Sequence, residues 1–289
     1  SGCTSLLQLD CFQNQILDGA MDTLVTSLPT VGKGLMKVVL NENEQNVITV
    51  AQVTAAKAKG WETYSNDGLS WKEYAGYEPI KGVKINDENF PDANFRDWVL
   101  SQSYGKDSVL TDVEIARVTA INVSGDSIQS LKGIEYFTAL QRLDCSDNEL
   151  TDLVVSKNLA LTYLDCHQNQ LATLDVSSNT SLLELYCFDN QLKALDASKC
   201  TVLTRLDCYN NQLATLDVSG CTVLTELWCQ QNRLTTLDVS ECGALTTLRC
   251  YENQLTALNV SGCDALQALW CYQNQLKTLD VSKDTMLVT

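Results

Sequence analysis

The second half of this chain is built from a repeat of 21 residues. Seven consecutive units follow the pattern LxxLxCxxNxLxxLxVSxxxx. They begin at Leu140, Leu161, Leu182, Leu203, Leu224, Leu245 and Leu266. A unit this short cannot bury its apolar side chains alone, so each unit has to stack on its neighbours. The period therefore predicts a solenoid.

The columns of the unit, numbered from its first leucine, separate into constant and variable positions. Leucines at columns 1, 4, 11 and 14 and the small apolar residue at column 16 are predicted to point inward. Column 9 is always asparagine, and a buried amide there can bond backbone groups that the turning chain leaves unpaired. Its members are Asn148, Asn169, Asn190, Asn211, Asn232, Asn253 and Asn274. We interpret these columns as structural.

The repeat continues beyond the seven units at both ends. Residues 118–139 form a slightly longer opening unit, and the N-terminal SGCTSLLQLDCFQNQI matches the cysteine phase of an earlier one. Both chain ends fall inside a repeat, so we expect a piece of a longer protein. Residues 1–78 are predicted to end an upstream solenoid with two longer strand–helix units. Residues 79–117 would form a linker and a helical segment, and residues 118–289 a second solenoid.

Two stretches near the N-terminus predict helices. AMDTLVTSL places four apolar residues on one helical face: Met21, Leu24, Val25 and Leu28. TVAQVTAAKAKG begins with a capping box of Thr49 and Gln52. LMKVVL and WETY predict strands, and YAGYEPIKG at 74–82 predicts a linker.

The 21-residue unit is the leucine-rich repeat pattern. Its cysteine at column 6, together with the LDVS sequence at columns 14 to 17, resembles the internalin family, especially the type with a cysteine ladder. It is also similar to leucine-rich repeat proteins of gut Bacteroidetes and Firmicutes. The resemblance covers residues 118–289 and, more weakly, 1–16. It implies an α/β solenoid with a parallel β-sheet on the concave face, α/β end units and a helical cap.

The 13 cysteines follow the repeat. Stacking would place those of column 6 about 4.8 Å apart, which permits a disulfide. Their side chains should nevertheless point the same way into the core, where free cysteine behaves as a small apolar residue. We therefore predict reduced thiols, and a linear row lacks the tetrahedral geometry of a zinc site. The column contains Cys145, Cys166, Cys187, Cys208, Cys229, Cys250 and Cys271.

A second cysteine row lies in column 19, which asparagine or aspartate occupies in other units. The turn there does not require sulfur, and the redox state of six cysteines stays open at this point. They are Cys3, Cys11, Cys200, Cys221, Cys242 and Cys263.

Residues 91–118 predict a helix, a loop and a second helix, and they resemble an EF-hand that has lost its ion. If Glu114 is the twelfth loop position, Ser103, Gly105 and Asp107 stand at ligand positions and Ser108 replaces the expected glycine. Most carboxylate ligands are therefore missing. We interpret the segment as a helical cap of the second solenoid, as in internalins.

Charge and motif content exclude several functions. The net charge of −16 repels phosphate backbones and anionic lipid surfaces, and no apolar run is long enough for a membrane span. The only histidine is His167, and neither a phosphate-binding loop nor a nucleophile motif is present. We expect a non-catalytic protein without cofactor or metal.

The variable columns indicate a binding surface. Columns 1 to 6 should form the strand, with columns 3 and 5 facing outward and columns 7 and 8 at the strand exit. All eight aromatic residues of the seven units occupy columns 3, 5 or 7. Interfaces favour aromatic anchors, although such rings can also strengthen a sheet through cross-strand pairs. The candidate ligand-binding residues are Tyr163, His167, Tyr186, Phe188, Arg205, Tyr209, Trp228, Arg249, Tyr251, Trp270 and Tyr272.

Three functions fit these features. The first is a protein-binding module that recognises a host or bacterial surface protein through its concave face. The second is a glycan-binding module, because Trp and Tyr beside carboxylates also suit sugars, and the third is a spacer in a larger surface protein. The family resemblance implies an extracellular or cell-surface location, including attachment to an outer membrane.

Overall fold

The structure is a computed structural model that describes residues 6–11, 16, 18–39, 48–66, 71–73, 82–282 and 286–287. The chain divides into two compact units, Ser1–Ile80 and Lys81–Thr289. Cys3, residues 74–81 of the predicted linker and the last two residues lie outside the described residues. The three-part division drawn from the sequence stays a prediction.

The first unit contains a four-stranded sheet and two helices. Its elements are β1 (Gln8–Asp10), α1 (Asp18–Ser27), β2 (Gly34–Val39), α2 (Val50–Ala58), β3 (Trp61–Asn66) and β4 (Trp71–Glu73). The sheet order is β1-β2-β3-β4, in which the first three strands are parallel and β4 is antiparallel to β3. The helices and the strands LMKVVL and WETY thus form where the sequence predicts them.

The two helices of this unit bury the faces that the pattern predicts. Met21 and Val25 of α1 and Leu28 directly after it are buried, and Leu24 packs against them partly buried. The capping box of α2 is present, since Thr49 N donates to Gln52 Oε1 (2.9 Å) and Gln52 N donates to Thr49 Oγ1 (3.2 Å). These bonds satisfy backbone donors that the first helical turn would leave unpaired.

The second unit begins with a helical segment. Its elements are β5 (Val83–Lys84), α3 (Ala93–Ser101), β6 (Val109–Leu110) and α4 (Asp112–Ile115), and β5 pairs with β6 antiparallel. Glu114 Oε2 accepts hydrogen bonds from Thr111 N (2.9 Å) and Thr111 Oγ1 (2.7 Å). The carboxylate that an EF-hand would use for calcium therefore caps α4. Among the described residues, no group of three or more His, Cys, Asp and Glu side chains could hold a metal ion.

The helical segment packs into the core of the second unit. Phe95 and Val99 of α3 are fully buried and belong to the same apolar cluster as Ile121. The Phe90 ring lies 5.8 Å from the Phe95 ring and 6.5 Å from the Phe137 ring, centroid to centroid. This contact agrees with a capping role, which stays a prediction.

The rest of the unit is a solenoid of short parallel strands. The elements are β7 (Ala120–Asn122), a 3-10 helix (Ile134–Tyr136), β8 (Arg142–Asp144), β9 (Tyr163–Asp165), β10 (Glu184–Tyr186), β11 (Ala194–Asp196), β12 (Arg205–Asp207), β13 (Thr215–Asp217), β14 (Glu226–Trp228), β15 (Thr236–Asp238), β16 (Thr247–Arg249), β17 (Ala257–Asn259) and β18 (Ala268–Trp270). Eight form one parallel sheet in the order β18-β16-β14-β12-β10-β9-β8-β7, while β11 pairs with β13 and β15 with β17.

The register of the sheet confirms the repeat. Each residue pairs with its counterpart one unit away, as Leu206 does with Leu227. In the seven units, the strands of this sheet span only columns 3 to 5, shorter than the six columns expected, although Cys145 N still donates to Asp165 O (2.8 Å) beyond the strand. Between residues 140 and 282 the described chain contains strands and turns without a helix, as 21 residues per turn predict.

Two polar ladders hold the coils together. Asn211 Nδ2 donates to Cys187 O of the preceding coil (2.9 Å), and Asn211 Oδ1 accepts from Leu192 N (2.9 Å). The same bonds recur along column 9, which confirms its structural role. In column 19, Asn179 Nδ2 donates to Val155 O (3.0 Å), and Cys221 Sγ contacts Ala197 O of its preceding coil (3.3 Å). Asparagine and cysteine side chains both reach a carbonyl of the preceding coil, which explains why either residue can occupy column 19.

The column 6 thiols lie inside the coil, and none of the seven takes part in a disulfide. Six of the seven are completely buried, whereas Cys271 is partly exposed.

We expect a maleimide to label the six buried thiols of column 6 only after denaturation. The reagent attacks an accessible thiolate, and burial raises the pKa of each of these thiols. Mass spectrometry of labelled protein with and without urea tests this. Rapid labelling of Cys208 in the native protein, or a Cys208–Cys229 disulfide, would contradict it.

Candidate functional site

The eleven predicted binding residues lie on the outer side of the eight-stranded sheet in two rows, which also contain Arg142 and Gln230. The first, the cation–aromatic row, occupies columns 3 and 5 and consists of Arg142, Tyr163, Tyr186, Arg205, Trp228, Arg249 and Trp270. The second, the stacked row, occupies column 7 beside the strand ends and consists of His167, Phe188, Tyr209, Gln230, Tyr251 and Tyr272. Both rows follow from the parallel register, which aligns equal columns of neighbouring units.

Each arginine of the cation–aromatic row contacts at least one ring of a neighbouring unit. The Arg142 guanidinium carbon lies 3.3 Å from the centroid of the Tyr163 ring. Arg205 lies 4.6 Å from the Trp228 ring and 5.4 Å from the Tyr186 ring. These distances are within the range of cation–π attraction. The contacts fix the long arginine side chains before any partner binds.

Arg249 lies between two tryptophans of the same column. Its guanidinium carbon is 4.0 Å from the Trp228 ring and 4.9 Å from the Trp270 ring. Because the three residues belong to consecutive units, the two rings are two coils apart. A planar cation thus fills the space between rings separated by two coils.

Carboxylates complete the row. Arg205 forms salt bridges with Asp207 (3.1 Å) and Glu226 (3.2 Å). Burial raises the pKa of Asp207, and the hydrogen bond and charge of Arg205 offset part of that increase. Tyr163 and Tyr186 donate their hydroxyl hydrogens to carboxylates two residues away, Asp165 and Glu184. Burial, followed by the Asp165 carboxylate, raises the pKa of Tyr163 to about 12.

The stacked row contains parallel rings at the spacing of the strands. The ring centroids of His167 and Phe188 are 4.3 Å apart, those of Phe188 and Tyr209 4.4 Å, and those of Tyr251 and Tyr272 4.6 Å. His167 Nδ1 is 2.6 Å from Asp165 Oδ1. The stack is interrupted once, at Gln230.

The surface is less open than the sequence suggested. Trp270 and Tyr272 are 38% and 53% exposed, while the other nine candidate residues are half-buried. Gln230 of column 7 is only 4% exposed, so this column is not uniformly outward-facing. The rings contact one another, as expected if they also strengthen the sheet through cross-strand pairs.

Three features of the surface could not be recognised from the sequence alone. Column 8 has a left-handed backbone at every one of its seven non-glycine residues, for example φ 50° at Asn210 and 55° at Gln231. The side-chain oxygen of Gln230 is buried without a hydrogen-bond partner, and so is the indole nitrogen of Trp228. The only sequence signal for the left-handed backbone is that column 8, before the constant asparagine, is always polar. The only signal for the buried Gln230 is that column 7 lacks a ring there.

Solved structures share this architecture. The functional domain of InlJ from Listeria monocytogenes, which includes a cysteine ladder, is 37% identical to this chain with a TM-score of 0.64, over 72% of this chain and 47% of that one. A leucine-rich repeat protein of Leptospira interrogans is 25% identical with a TM-score of 0.56, over 61% and 50%. Internalin C2 from Listeria monocytogenes is 22% identical with a TM-score of 0.60, over 73% and 97%, and shows the fold alone.

These likenesses define the fold as a leucine-rich repeat solenoid that is similar to the internalins, and the chain shares a cysteine ladder with the InlJ domain. It spans about half the length of the first two structures it matches. No family model matches the sequence, and no curated protein matches it either. Over the described residues, no helix combines the length and the apolar character that crossing a membrane requires.

Proposed function

We propose that this chain is a non-catalytic protein-binding module that recognises its partner through the outer side of the eight-stranded sheet, the concave face of a leucine-rich repeat coil. By its likeness to internalins, we place it in a secreted or cell-surface protein. The partner is then a host or bacterial surface protein.

One observation carries this proposal: the arginines and rings of the sheet face are fixed by mutual contacts over seven consecutive units. Arg205 and Arg249 are held by rings on both sides, and Tyr163 and Tyr186 are held by their hydroxyl bonds. Side chains that are already ordered lose little conformational entropy on binding. Arginine, tryptophan and tyrosine are also the residues that contribute most to protein interfaces.

Replacing Trp228 and Trp270 together with alanine should reduce partner affinity by about 2 kcal/mol or more, roughly 30-fold. Neither ring belongs to the buried core, so the urea midpoint should change little. The partner is first captured on the immobilised chain from surface proteins of host cells or neighbouring bacteria and identified by mass spectrometry. Its dissociation constant is then measured for both forms.

The matched control is Thr236→Ala, an exposed residue of β15 outside the eight-stranded sheet. It should alter neither affinity nor stability. Equal affinity of the double variant and the unaltered chain would refute the proposal, and so would unfolding of the double variant, which would make the rings structural. A glycan array on the same chain decides the alternative, because strong sugar binding with no captured protein would favour a glycan-binding module.

A further inference from the structure

Arg249 is a cation of the sheet face without an acidic partner. Its side chain is half-buried, with the Trp228 ring on one side (4.0 Å) and the Trp270 ring on the other (4.9 Å). Within the described part of the chain, its guanidinium group forms no salt bridge and no hydrogen bond. The ring faces attract its charge but leave its N–H donors without a protein acceptor.

Arg205 has the acidic partners that Arg249 lacks. Its guanidinium group also lies over the Trp228 ring, at 4.6 Å, but it forms salt bridges with Asp207 (3.1 Å) and Glu226 (3.2 Å). Glu226 belongs to the unit directly before that of Arg249, yet it pairs with Arg205 of the unit before its own. The same face therefore holds one guanidinium group that is already paired and one that is not.

The charge of the sheet face changes along the solenoid. Columns 3, 5 and 7 of each of the first five units contain one carboxylate, whereas those of the last two units contain none. In the last two units these columns hold Thr247, Arg249, Tyr251, Ala268, Trp270 and Tyr272, of which only Arg249 is charged. The acidic residues behind the net charge of −16 thus lie elsewhere. Exposed charges more than about 10 Å away are largely screened at physiological salt.

Small side chains beside Arg249 leave its edge accessible. Column 3 holds Thr247 in the same unit and Ala268 in the next, whereas the five earlier units have arginine, tyrosine or glutamate there. Columns 3 and 5 point to the same side of a strand, so the surface is lower directly beside Arg249. The strand of Arg249, β16, pairs with β14 on one side and β18 on the other. These surroundings therefore belong to the interior of the sheet.

We propose that Arg249 binds the carboxylate of an aspartate or glutamate side chain of the protein partner. The carboxylate approaches over Thr247 and Ala268, and its two oxygens accept N–H bonds from the guanidinium group. Paired bonds of this kind are charge-assisted and stronger than neutral ones. Because the two tryptophan rings already hold the guanidinium group in place, little side-chain freedom is lost on binding. This inference rests on the proposed function, since it names the kind of partner that the sheet face recognises: a protein with an exposed acidic side chain.

The test uses three small probes: the α-amide of N-acetylglutamate, the α-amide of N-acetylglutamine, and glucuronate. Glutamine keeps the shape of glutamate without its charge, and glucuronate carries its carboxylate on a sugar. The intact chain, with ¹⁵N-labelled arginine, is titrated with each probe, and the side-chain Nε–H signals are followed by NMR. We expect the Arg249 signal to shift with the glutamate probe, whose affinity should exceed that of the glutamine probe by roughly tenfold. The Arg205 signal should stay in place, because its donors are already paired.

Substitutions at Arg249 separate the paired N–H geometry from the charge. Arg249→Lys keeps a cation between the rings but loses the planar fork, so affinity for the glutamate probe should fall roughly threefold or more. Arg249→Met also removes the charge and should reduce that affinity by roughly tenfold or more. Arg233→Met is the matched control, since Arg233 is an exposed arginine between β14 and β15, outside the sheet face. It should leave binding of the glutamate probe unchanged.

Each contrary result counts against the inference. Equal binding of the glutamate and glutamine probes would overturn it, and so would unchanged affinity in either Arg249 variant, or an Arg249 signal that stays in place up to the solubility of the probe. Tighter binding of glucuronate than of the glutamate probe would overturn it in favour of a glycan ligand. If Arg249→Met lowers the urea midpoint strongly, Arg249→Lys decides, because lysine keeps the cation between the rings. The proposed function is judged separately by partner capture and the Trp228 and Trp270 double variant, so the two failures are distinguishable.

Discussion

Raising the pH from 7 to 10 under reducing conditions is expected to unfold the cysteine-ladder solenoid. Six ladder thiols are completely buried: Cys145, Cys166, Cys187, Cys208, Cys229 and Cys250. Burial raises the pKa of every one of them, to about 12 for Cys229. An unfolded thiol has a pKa of about 8.5. The unfolded chain therefore releases protons in a range where the folded chain retains them.

The sign of the effect follows from proton linkage. The stability is fully present below the unfolded pKa and is lost as the pH rises above it, because the unfolded state then binds fewer protons. Each buried thiol lowers the free energy of unfolding by about 1.4 kcal/mol per pH unit in this range. Six thiols together give about 8 kcal/mol per pH unit, which is comparable to the entire stability of a typical domain.

Urea unfolding followed by circular dichroism between pH 7 and pH 10, with a phosphine reductant present, measures this slope. The Cys208→Ala variant is the matched control, since removal of one ladder thiol should reduce the slope by about one sixth. Only the slopes are compared, because the smaller side chain also changes stability at neutral pH. A midpoint that stays constant between pH 8 and pH 10 would show that the ladder thiols ionise freely in the folded protein.

The period of the repeat was sufficient to predict the architecture because equal columns of stacked units must coincide. The buried leucine rows, the asparagine bonds of column 9 and the parallel sheet all follow from that coincidence. The strand length did not follow, because the chain begins to turn after column 5 while its hydrogen bonds continue through Cys145 N. Periodicity identifies which residues align and leaves the backbone angles of each coil undetermined.

The sheet face was predicted less completely than the core. The aromatic columns correctly located the rows that contain Trp228 and Tyr251, since ring placement depends only on register. The position of Arg249 between the two tryptophan rings and the burial of Gln230 depend on side-chain rotamers and on neighbours in two adjacent units. Such contacts combine residues that are 21 and 42 positions apart, and a column-by-column comparison treats each position alone.

Replacing Asn211 with alanine should lower the free energy of unfolding of the solenoid by about 3 kcal/mol or more. The Asn211 amide donates to Cys187 O (2.9 Å), Cys208 O (3.2 Å) and Tyr209 O (3.2 Å), and its oxygen accepts from Leu192 N (2.9 Å). Alanine leaves the buried Leu192 N–H group without that acceptor and removes a donor from the carbonyls. An unpaired buried group costs roughly 1–3 kcal/mol, and at least two groups are affected.

Urea unfolding at pH 7 compares Asn211→Ala with Gln191→Ala, an exposed residue of the neighbouring unit, which should cost less than about 0.5 kcal/mol. Asn211→Asp separates the hydrogen bonds that the Asn211 side chain donates from the one that it accepts. Its carboxylate can still accept from Leu192 N, but it faces the carbonyl oxygens of Cys187 and Cys208 without a hydrogen to donate. This variant should therefore be unstable at pH 7 and regain stability in acid, where the protonated carboxyl group donates again. If Asn211→Ala costs no more than Gln191→Ala, the column 9 amides do not hold the coils together, and the leucine rows alone stabilise the stack.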